Sequence, residues 1–194
     1  MCGRYFIDER DPLLRQFVDA ARRKGEIKTG EVFPADTAVV IANNRRLTPS
    51  VFPMRWGFER PNGGLVINAR SETASQKPLF RESARLLRCL IPISWYYEWE
   101  RRPDGKIKYA LRPARDGIVY LGGLYTIGGD GVPRFTVLTR DAAPGISFIH
   151  ERMPVLVPPD KHDDWLSQQV TLDELLASAE TQLDYKKDTP EKEC

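Results

Sequence analysis

Cys2 is the residue whose type and position point most directly to chemistry. An initiator methionine is normally removed when a small residue follows it, and Cys2 would then carry a free α-amine beside its thiol. Both groups react near neutral pH, since their ordinary pKa values are about 7.7–8.0 and about 8.5. An aldehyde would form an imine with this amine, and the sulfur would close it into a thiazolidine ring. The alternative is a chance cysteine in a frayed terminus, although residues 3–7 predict a strand that would hold it.

An amide and a guanidinium follow the apolar run Leu65-Val66-Ile67. Asn68 and Arg70 stand in the sequence Asn-Ala-Arg-Ser-Glu-Thr at residues 68–73, at a predicted strand end, where functional sites are commonly assembled. They are candidates for orienting a substrate and binding an anion. The structural alternative is a capped turn that leads into a helix.

Glu98 is a carboxylate among aromatic rings. Strand alternation sends Tyr96, Glu98 and Glu100 to one face and Trp95, Tyr97 and Trp99 to the other. Such surroundings remove water from the carboxylate, which raises its pKa and suits it to proton transfer. The alternative is an edge-strand glutamate paired with Arg101 or Arg102.

His150 lies at the boundary between a loop and the apolar strand predicted at residues 153–157. It is the main candidate for an acid or base that titrates near neutrality, and the alternative is a satisfied structural histidine. Taken together, Cys2, Asn68, Glu98 and His150 make a complete set for reversible aldehyde or acyl chemistry. Two histidines and scattered cysteines form no ligand pattern, so we expect neither a metal nor a cofactor.

The elements that must position these residues are many short strands with helices around them. Alternation and turn chemistry predict an α+β protein with a curled, barrel-like, mostly antiparallel β-sheet and peripheral helices. The predicted strands are residues 3–7, 37–42, 51–58, 89–100, 106–111, 118–127, 134–139 and 153–157. The predicted helices follow residue 11 and lie near residues 79–87, 160–167 and 171–179. We expect one domain over residues 1–179 and a loose polar tail over residues 180–194.

Charge is distributed unevenly along the 194 residues. Through residue 115 there are 22 Lys and Arg against 13 Asp and Glu, and beyond it 7 against 14, which leaves a net charge of +2. Seventeen of the 22 early cations are Arg, which binds phosphate oxygens in pairs. An anionic partner would explain the asymmetry, and pairing of the two halves would explain it equally.

Composition excludes several classes of protein. Apolar residues make up 41% and charged residues 29%, as in globular chains, and no apolar run approaches the roughly 20 residues of a membrane span. No signal-peptide pattern opens the chain, and three cysteines without paired spacing fit a reducing compartment. We therefore expect a cytoplasmic protein with no membrane partner. Separately, we expect a monomer.

Four motifs in order resemble the SRAP family, the SOS-response-associated peptidase-like proteins that process abasic sites. The resemblance covers residues 1 to about 167. Trp95 stands where the family commonly has a glycine. The motifs are Met1-Cys2-Gly3-Arg4, residues 68–73, Tyr97-Glu98-Trp99 and His150-Glu151-Arg152-Met153-Pro154.

This resemblance implies that Cys2, after Met1 is removed, possibly by the protein itself, captures the ring-opened aldehyde of an abasic site in single-stranded DNA. A stable thiazolidine crosslink results, and an associated lyase activity is implied as well. Asn68 would orient the amine or the sugar. Glu98 would be the acid and base for Met1 removal and for the imine steps. His150 would protonate the sugar oxygen.

The resemblance also implies that the protein is associated with DNA, and it implies a path for the DNA. Arg4 and Arg70 would hold phosphates, while Thr139 and the region of Trp99 would line the strand. From its own sequence context, Trp56 could stack on an unpaired base, or it could be a core tryptophan.

Three alternatives remain. An N-terminal-nucleophile amidotransferase or amidohydrolase would use the same amine and thiol on an amide, and would release ammonia from glutamine. A Cys-His-Asn thiol peptidase would act on other proteins. A plain single-stranded-DNA-binding module would form no covalent product, and its binding would be unchanged by Cys2→Ala.

Overall fold

The first helix shows how local sequence builds the elements of this computed structural model, which describes residues 2–60 and 62–188. Helix α1 (Pro12–Arg22) begins at Asp11, whose carboxylate accepts hydrogen bonds from the first free backbone N–H groups. Its apolar positions Leu14, Val18 and Ala21 recur at helical spacing and are buried. Four shorter helices follow: α2 (Ser71–Ala74), α3 (Arg81–Leu86), α4 (His162–Leu166) and α5 (Leu172–Leu176).

Strands make up most of the rest of the described chain. Tight turns connect many of them, as the predicted hairpin between β9 and β10 illustrates. The strands are β1 (Tyr5–Ile7), β2 (Gly30–Val32), β3 (Thr37–Asn43), β4 (Pro49–Trp56), β5 (Phe58–Glu59), β6 (Leu65–Val66), β7 (Asn68–Arg70), β8 (Arg88–Ile93), β9 (Trp95–Arg102), β10 (Gly105–Pro113), β11 (Val119–Ile127), β12 (Pro133–Asp141), β13 (Arg152–Pro154) and β14 (Leu183–Lys187).

One group of strands closes on itself. Strand β11 pairs with both β8 and β12, so that β11, β8, β3, β4 and β12 form a ring. Strands β13 and β7 extend the ring along β12. The pairings of β12 with β4 and with β7 are parallel, and the other pairings of the ring are antiparallel. The prediction of a curled, mostly antiparallel, barrel-like sheet is therefore confirmed.

A second sheet of five antiparallel strands, in the order β14-β10-β9-β1-β2, packs on this ring. The contact is made by side chains on its inner face, such as Tyr5, whose ring centroid lies 5.0 Å from that of Trp56 on β4. Ser94 marks the point where β8 of the ring continues into β9 of the sheet, and its hydroxyl accepts the backbone N–H of Asp8 at 2.9 Å. Elements of both sheets therefore meet around β1, β7 and β9.

Two adjacent glycines on β11 allow close packing at the ring of strands. A Cβ atom at Gly122 would lie 2.5 Å from the ring of Trp165, and one at Gly123 would lie 2.7 Å from Ile91. No larger residue fits here without displacing the core. Gly122 thus lets helix α4 pack closely on β11, and Gly123 leaves room for the side chain of Ile91 on the neighbouring strand β8.

The end of the chain differs from the prediction. Residues 183–187 of the expected loose tail form β14, which pairs with β10 from Pro113↔Leu183 to Tyr109↔Lys187. Polar composition suggested a tail because β14 is an edge strand with mostly exposed side chains, and backbone pairing holds such a strand without apolar burial. Met1 and residues 189–194 lie outside the described residues. In the part of the chain that the structure describes, no helix is both long and apolar enough to cross a bilayer.

Candidate active site

Cys2 lies at the point where the two sheets meet, and its side chain has no exposed surface. The side-chain amide of Asn68 donates a hydrogen bond to the backbone carbonyl of Cys2 at 2.9 Å. The thiol points to the carbonyl of Arg4, 3.9 Å away. The alternative of a cysteine in a frayed terminus is therefore wrong, because this residue is part of the packed core.

The surroundings of Cys2 keep its proton on the sulfur. Burial raises the pKa of the thiol well above its ordinary value, and the nearby negative charge of Glu98 raises it further. A thiol in this state is a weak nucleophile by itself. It reacts when a neighbouring group accepts its proton.

Glu98 lies on the inner face of β9, as strand alternation predicted, and only 4% of its surface is exposed. Burial raises the pKa of its carboxyl group, while a positive charge on the imidazole of His150, when that ring is protonated, and the backbone N–H of Trp99 act in the opposite direction. The aromatic neighbours are Tyr96 on the same strand and Tyr109 directly opposite on β10. The predicted desolvation of this carboxyl group is thus present. Arg102, one of its suggested ion-pair partners, instead pairs with Glu100 at 2.8 Å.

His150 follows the loop that leaves β12, and a backbone hydrogen bond orients its ring. Its Nδ1 accepts the backbone N–H of Arg152 at 2.9 Å. A ring nitrogen that accepts a hydrogen bond carries no proton, so this contact favours the neutral tautomer with the proton on Nε2. The loop itself is held by Phe148, whose ring contacts Tyr109 and Tyr185 at centroid distances of 6.0 and 5.4 Å.

Asn68 and Arg70 begin and end β7. Because side chains alternate along a strand, both point to the same side, while Ala69 between them is buried. The amide of Asn68 holds Cys2, and the guanidinium of Arg70 is exposed to solvent. Strand β7 therefore carries the amide that holds the backbone of Cys2 and, two residues later, an exposed cation.

Arg4 lies on the outer face of the five-stranded sheet. Its guanidinium carbon is 4.2 Å from the ring centroid of Phe33 and 5.2 Å from that of Trp99. Its Nη1 is 3.4 Å from a carboxylate oxygen of Glu31. Arg4 and the half-buried Trp99 thus form one cationic and aromatic patch.

Two residues predicted to contact DNA are part of the core. Trp56 is completely buried against the ring of Tyr5, and its Nε1 donates to the carbonyl of Ile67 at 3.0 Å. Thr139 is also completely buried, and its hydroxyl donates to the carbonyl of Ala69 at 3.4 Å. Trp56 therefore fits the alternative of a core tryptophan. Thr139 is as fully buried as Cys2, and its contact with DNA stays a prediction. Packing buries both faces of β12, and on β4 it buries Met54 and Trp56 while Arg55 stays exposed; local sequence does not show this.

The side chain of Trp95 does not enter the site. This residue stands where the family that the motifs resemble commonly has a glycine. It lies on the outer face of β9, and its ring stacks on Phe6 at 4.5 Å with an angle of 3° between the planes. The pocket around Glu98 is on the other face of the same strand. This departure therefore leaves the site unchanged.

The sequence patterns did not predict an ion pair beside His150 between the buried Arg152 and the partly exposed Glu72. The guanidinium of Arg152, with 8% of its side chain exposed, makes two hydrogen bonds to the carboxylate of Glu72, at 2.8 and 2.9 Å. Both residues stand inside the recognised motifs, but no local spacing links positions 80 apart. In residues 2–60 and 62–188, no three His, Cys, Asp or Glu side chains are grouped as a metal site.

The sequence as a whole matches one protein family. The family described as SOS response associated peptidase (SRAP) matches residues 1–188. This chain belongs to the SRAP family. The resemblance that four short motifs indicated is thereby confirmed over the whole described chain.

Several relatives of this SRAP chain bear names that state what they process. The abasic site processing protein YoqW of Bacillus subtilis strain 168 is 32% identical over 195 residues, which is 92% of this chain and 85% of YoqW. YoaM from the same strain is 33% identical over 92% of this chain and 84% of its own length, and it carries the same description. YedK of Escherichia coli K12, again an abasic site processing protein, is 24% identical over 70% of this chain.

Solved structures agree on the fold of this SRAP chain. A crystal structure of a Bacteroides thetaiotaomicron protein superposes with a TM-score of 0.79 at 19% identity, covering 97% of this chain and 93% of that one. A Bordetella bronchiseptica protein gives 0.78 at 23% identity, covering 97% of this chain and 100% of that one. At these identities the likeness concerns the fold alone.

Proposed function

We propose that this chain processes abasic sites in single-stranded DNA by forming a thiazolidine crosslink at Cys2. One observation carries the proposal: the backbone of Cys2 is held by Asn68, and its thiol lies within the electrostatic influence of Glu98, on which His150 also acts. These are the four groups that capture of an aldehyde by an amine and a thiol requires. The names of YoqW, YoaM and YedK support the choice of substrate.

The first step frees the amine. Water adds to the carbonyl carbon of the Met1–Cys2 peptide bond, the C–N bond breaks, and methionine leaves. Glu98 is the base that takes a proton from the water, and it returns that proton to the departing nitrogen. A carboxyl group with a raised pKa suits both roles.

The second step joins protein and sugar. The amine of Cys2 attacks C1 of the open-chain sugar and forms an imine with loss of water. His150, in the tautomer with a proton on Nε2, donates that proton to the sugar oxygen and helps the ring to open. The amide of Asn68 holds the Cys2 backbone in place for this attack.

The third step closes the ring. The thiol adds to the imine carbon, and its proton passes through Glu98 to the nitrogen, so that aldehyde and aminothiol have become thiazolidine and one water. This order of events suits a buried thiol, because the sulfur is needed only once the electrophile is tethered beside it. Where the ring does not close, loss of a C2 proton from the imine expels the 3′ phosphate, which is a lyase reaction.

The proposed chemistry does not require the protein to recognise a particular nucleotide sequence. The exposed Arg70 offers a cation to a flexible strand beside Cys2. The patch of Arg4 and Trp99 lies on the outer face of the sheet, opposite Glu98, and would contact the strand further from the site. A single strand presents an abasic aldehyde that a duplex keeps out of reach. One chain supplies every named group, so a monomer suffices.

The test uses purified protein and an abasic single-stranded oligonucleotide. We expect a product that survives denaturing electrophoresis without a reducing agent, none from Cys2→Ala, and an intact mass that lacks Met1. The matched variant Cys2→Ser keeps the amine and loses the sulfur, so we expect its adduct only after borohydride reduction of the imine.

Other outcomes would decide against the proposal. Equal product from Cys2→Ala would remove Cys2 from the chemistry, and binding without any covalent product would favour a plain DNA-binding module. Ammonia from glutamine would support the amidotransferase alternative. Cleavage of unrelated peptides would support the peptidase alternative.

A further inference from the structure

The ion pair between Glu72 and Arg152 links two motifs that stand 80 positions apart. The two hydrogen bonds, at 2.8 and 2.9 Å, run in parallel from the guanidinium to the carboxylate. This paired geometry fixes direction as well as distance, which a single contact to a lysine would not do. The hydrogen bonds to Arg152 hold the pKa of Glu72 below its ordinary value, so the carboxylate stays charged.

The two terminal nitrogens of the guanidinium also make hydrogen bonds to β12. Its Nη2 donates to the backbone carbonyl of Thr139 at 2.7 Å, and its Nη1 donates to Asp141 at 2.5 Å. With 8% of its side chain exposed, Arg152 faces the protein and not the solvent. Its side chain therefore ties helix α2, strand β12 and strand β13 into one unit.

The backbone of Arg152 makes the contact that matters for chemistry. Its N–H donates to Nδ1 of His150 at 2.9 Å. A residue whose side chain is fixed by three groups has a backbone that cannot rotate freely, so the direction of this N–H is fixed as well. The hydrogen bond in turn sets the plane of the imidazole and keeps its proton on Nε2.

We propose that Glu72 is a positioning residue for His150 and that it acts through Arg152. Glu72 holds the guanidinium, the guanidinium holds the start of β13, and the backbone N–H there selects the tautomer that donates from Nε2. The kinetic part of this inference rests on the proposed function. The tautomer of His150 is a property of the protein alone.

The test compares Glu72→Gln with Glu59→Gln. Glu59 pairs with Arg134 at 2.6 Å, and these side chains are 58% and 3% exposed, much as Glu72 and Arg152 are 46% and 8% exposed. Arg134 stands at the opposite end of β12, so the control removes an equivalent pair away from His150. Glu72→Asp, which keeps the charge on a shorter side chain, provides a second variant if Glu72→Gln does not fold.

The first measurement is the ¹⁵N NMR spectrum of the imidazoles at about pH 8, where an ordinary imidazole is neutral. The chain has two histidines, so His150→Ala assigns the signals. We expect the proton of His150 on Nε2 in the wild type and in Glu59→Gln, and a mixture of tautomers in Glu72→Gln. Unchanged signals in Glu72→Gln would overturn the proposal whether or not a crosslink forms.

The second measurement is the rate of crosslinking at saturating abasic DNA. We expect Glu72→Gln to lower it roughly tenfold, part of the roughly 10²–10⁴-fold that general acid–base catalysis contributes. We expect the half-saturating DNA concentration to change much less than the rate, because the proposed role of Glu72 is in the chemical step and not in binding. In the His150→Ala background, Glu72→Gln should have no further effect.

Two kinetic results would overturn the proposal. An equal loss of rate in the His150→Ala background would mean that Glu72 acts by another route. Tighter DNA binding by Glu72→Gln would mean that the released guanidinium is a phosphate contact. Absence of any crosslink from the wild type would refute the proposed function, and the NMR result alone would then decide the role of Glu72.

Discussion

At the scale of single residues, burial governs the chemistry of this site. Cys2 and Glu98 are both acids, and burial raises the pKa of each. The thiol of Cys2 therefore keeps its proton until a base acts on it, and the raised pKa of Glu98 suits this carboxyl group to both taking and giving a proton. This favours a reaction that begins at the amine of Cys2 and reaches the sulfur last.

The raised pKa of Glu98 has a measurable effect on stability. The unfolded chain ionises this carboxyl at its ordinary pKa of about 4.3, and the folded chain does so only at higher pH. The stability that the neutral form contributes is present below the ordinary pKa and is lost as the pH rises through the raised value. We expect the free energy of unfolding of Glu98→Gln to rise relative to that of the wild type as the pH increases above about 4.

Glu100, two residues further on the same strand, is the matched control. Hydrogen bonds from Arg102 and Tyr109 lower the pKa of its carboxyl group. Its ionised form therefore stabilises the fold above the ordinary pKa. We expect the free energy of unfolding of Glu100→Gln to fall relative to that of the wild type as the pH rises. Denaturant titrations of both variants measure these trends. A gap between Glu98→Gln and the wild type that stays constant with pH would contradict the account.

At the scale of elements, the last strand supports the loop that carries His150. Tyr185 of β14 packs against Phe148 at 5.4 Å and against Tyr109 at 5.8 Å between ring centroids. Tyr109 is in turn the cross-strand neighbour of Glu98. Three rings therefore connect the edge of the sheet, the carboxyl group and the histidine loop.

Removing the ring of Tyr185 tests this support. We expect Tyr185→Ala to lower the free energy of unfolding by about 1 kcal/mol, since edge-to-face aromatic pairs contribute roughly 0.5–1.5 kcal/mol. We expect it also to slow crosslinking at saturating DNA, because the loop of His150 loses its anchor. Tyr185→Phe keeps the ring and should match the wild type. Lys186→Ala changes a side chain on the other face of β14 and tests whether any change in this strand lowers stability or rate.

If Tyr185→Ala crosslinked at the wild-type rate, β14 would not support the loop.

At the scale of the whole molecule, the uneven charge has two uses. Some cations of the basic first part of the chain pair with carboxylates of the acidic second part, as one of the two explanations of the asymmetry predicted. Lys108 contacts Asp188 at 2.8 Å, and Arg115 forms an ion pair with Glu180. Part of it remains at the surface, where Arg70 is exposed beside the site. Only this second part can attract a phosphate backbone.

Salt dependence separates the two uses. A single strand releases roughly 0.7 counterions for each phosphate that a protein cation neutralises. We therefore expect Arg70→Ala to reduce the slope of log affinity against log salt concentration by about 0.7. Arg10→Ala removes a cation that is 87% exposed and paired with Asp8, and it should leave the slope unchanged. Fluorescence anisotropy with an undamaged single strand measures both slopes, and equal slopes for the two variants would exclude Arg70 as a phosphate contact.

The sequence by itself determined the local features of this protein. Apolar spacing predicted α1, and alternation predicted which face of β9 carries Glu98 and which carries Trp95. The residues Cys2, Asn68, Glu98 and His150 were recognisable from their types and motifs. These features depend on periods of two and 3.6 residues, which a short stretch of chain contains in full.

Only the tertiary structure decided which strands pair, and with them which side chains are buried. Pairing with β10 makes residues 183–187 a strand although their composition is polar. Layers on both sides bury Trp56 and Thr139, which short motifs left open to DNA. The partnership of Glu72 and Arg152 spans 80 residues. Contacts at such distances depend on how the whole chain closes, because burial and partner choice are properties of the packed layers.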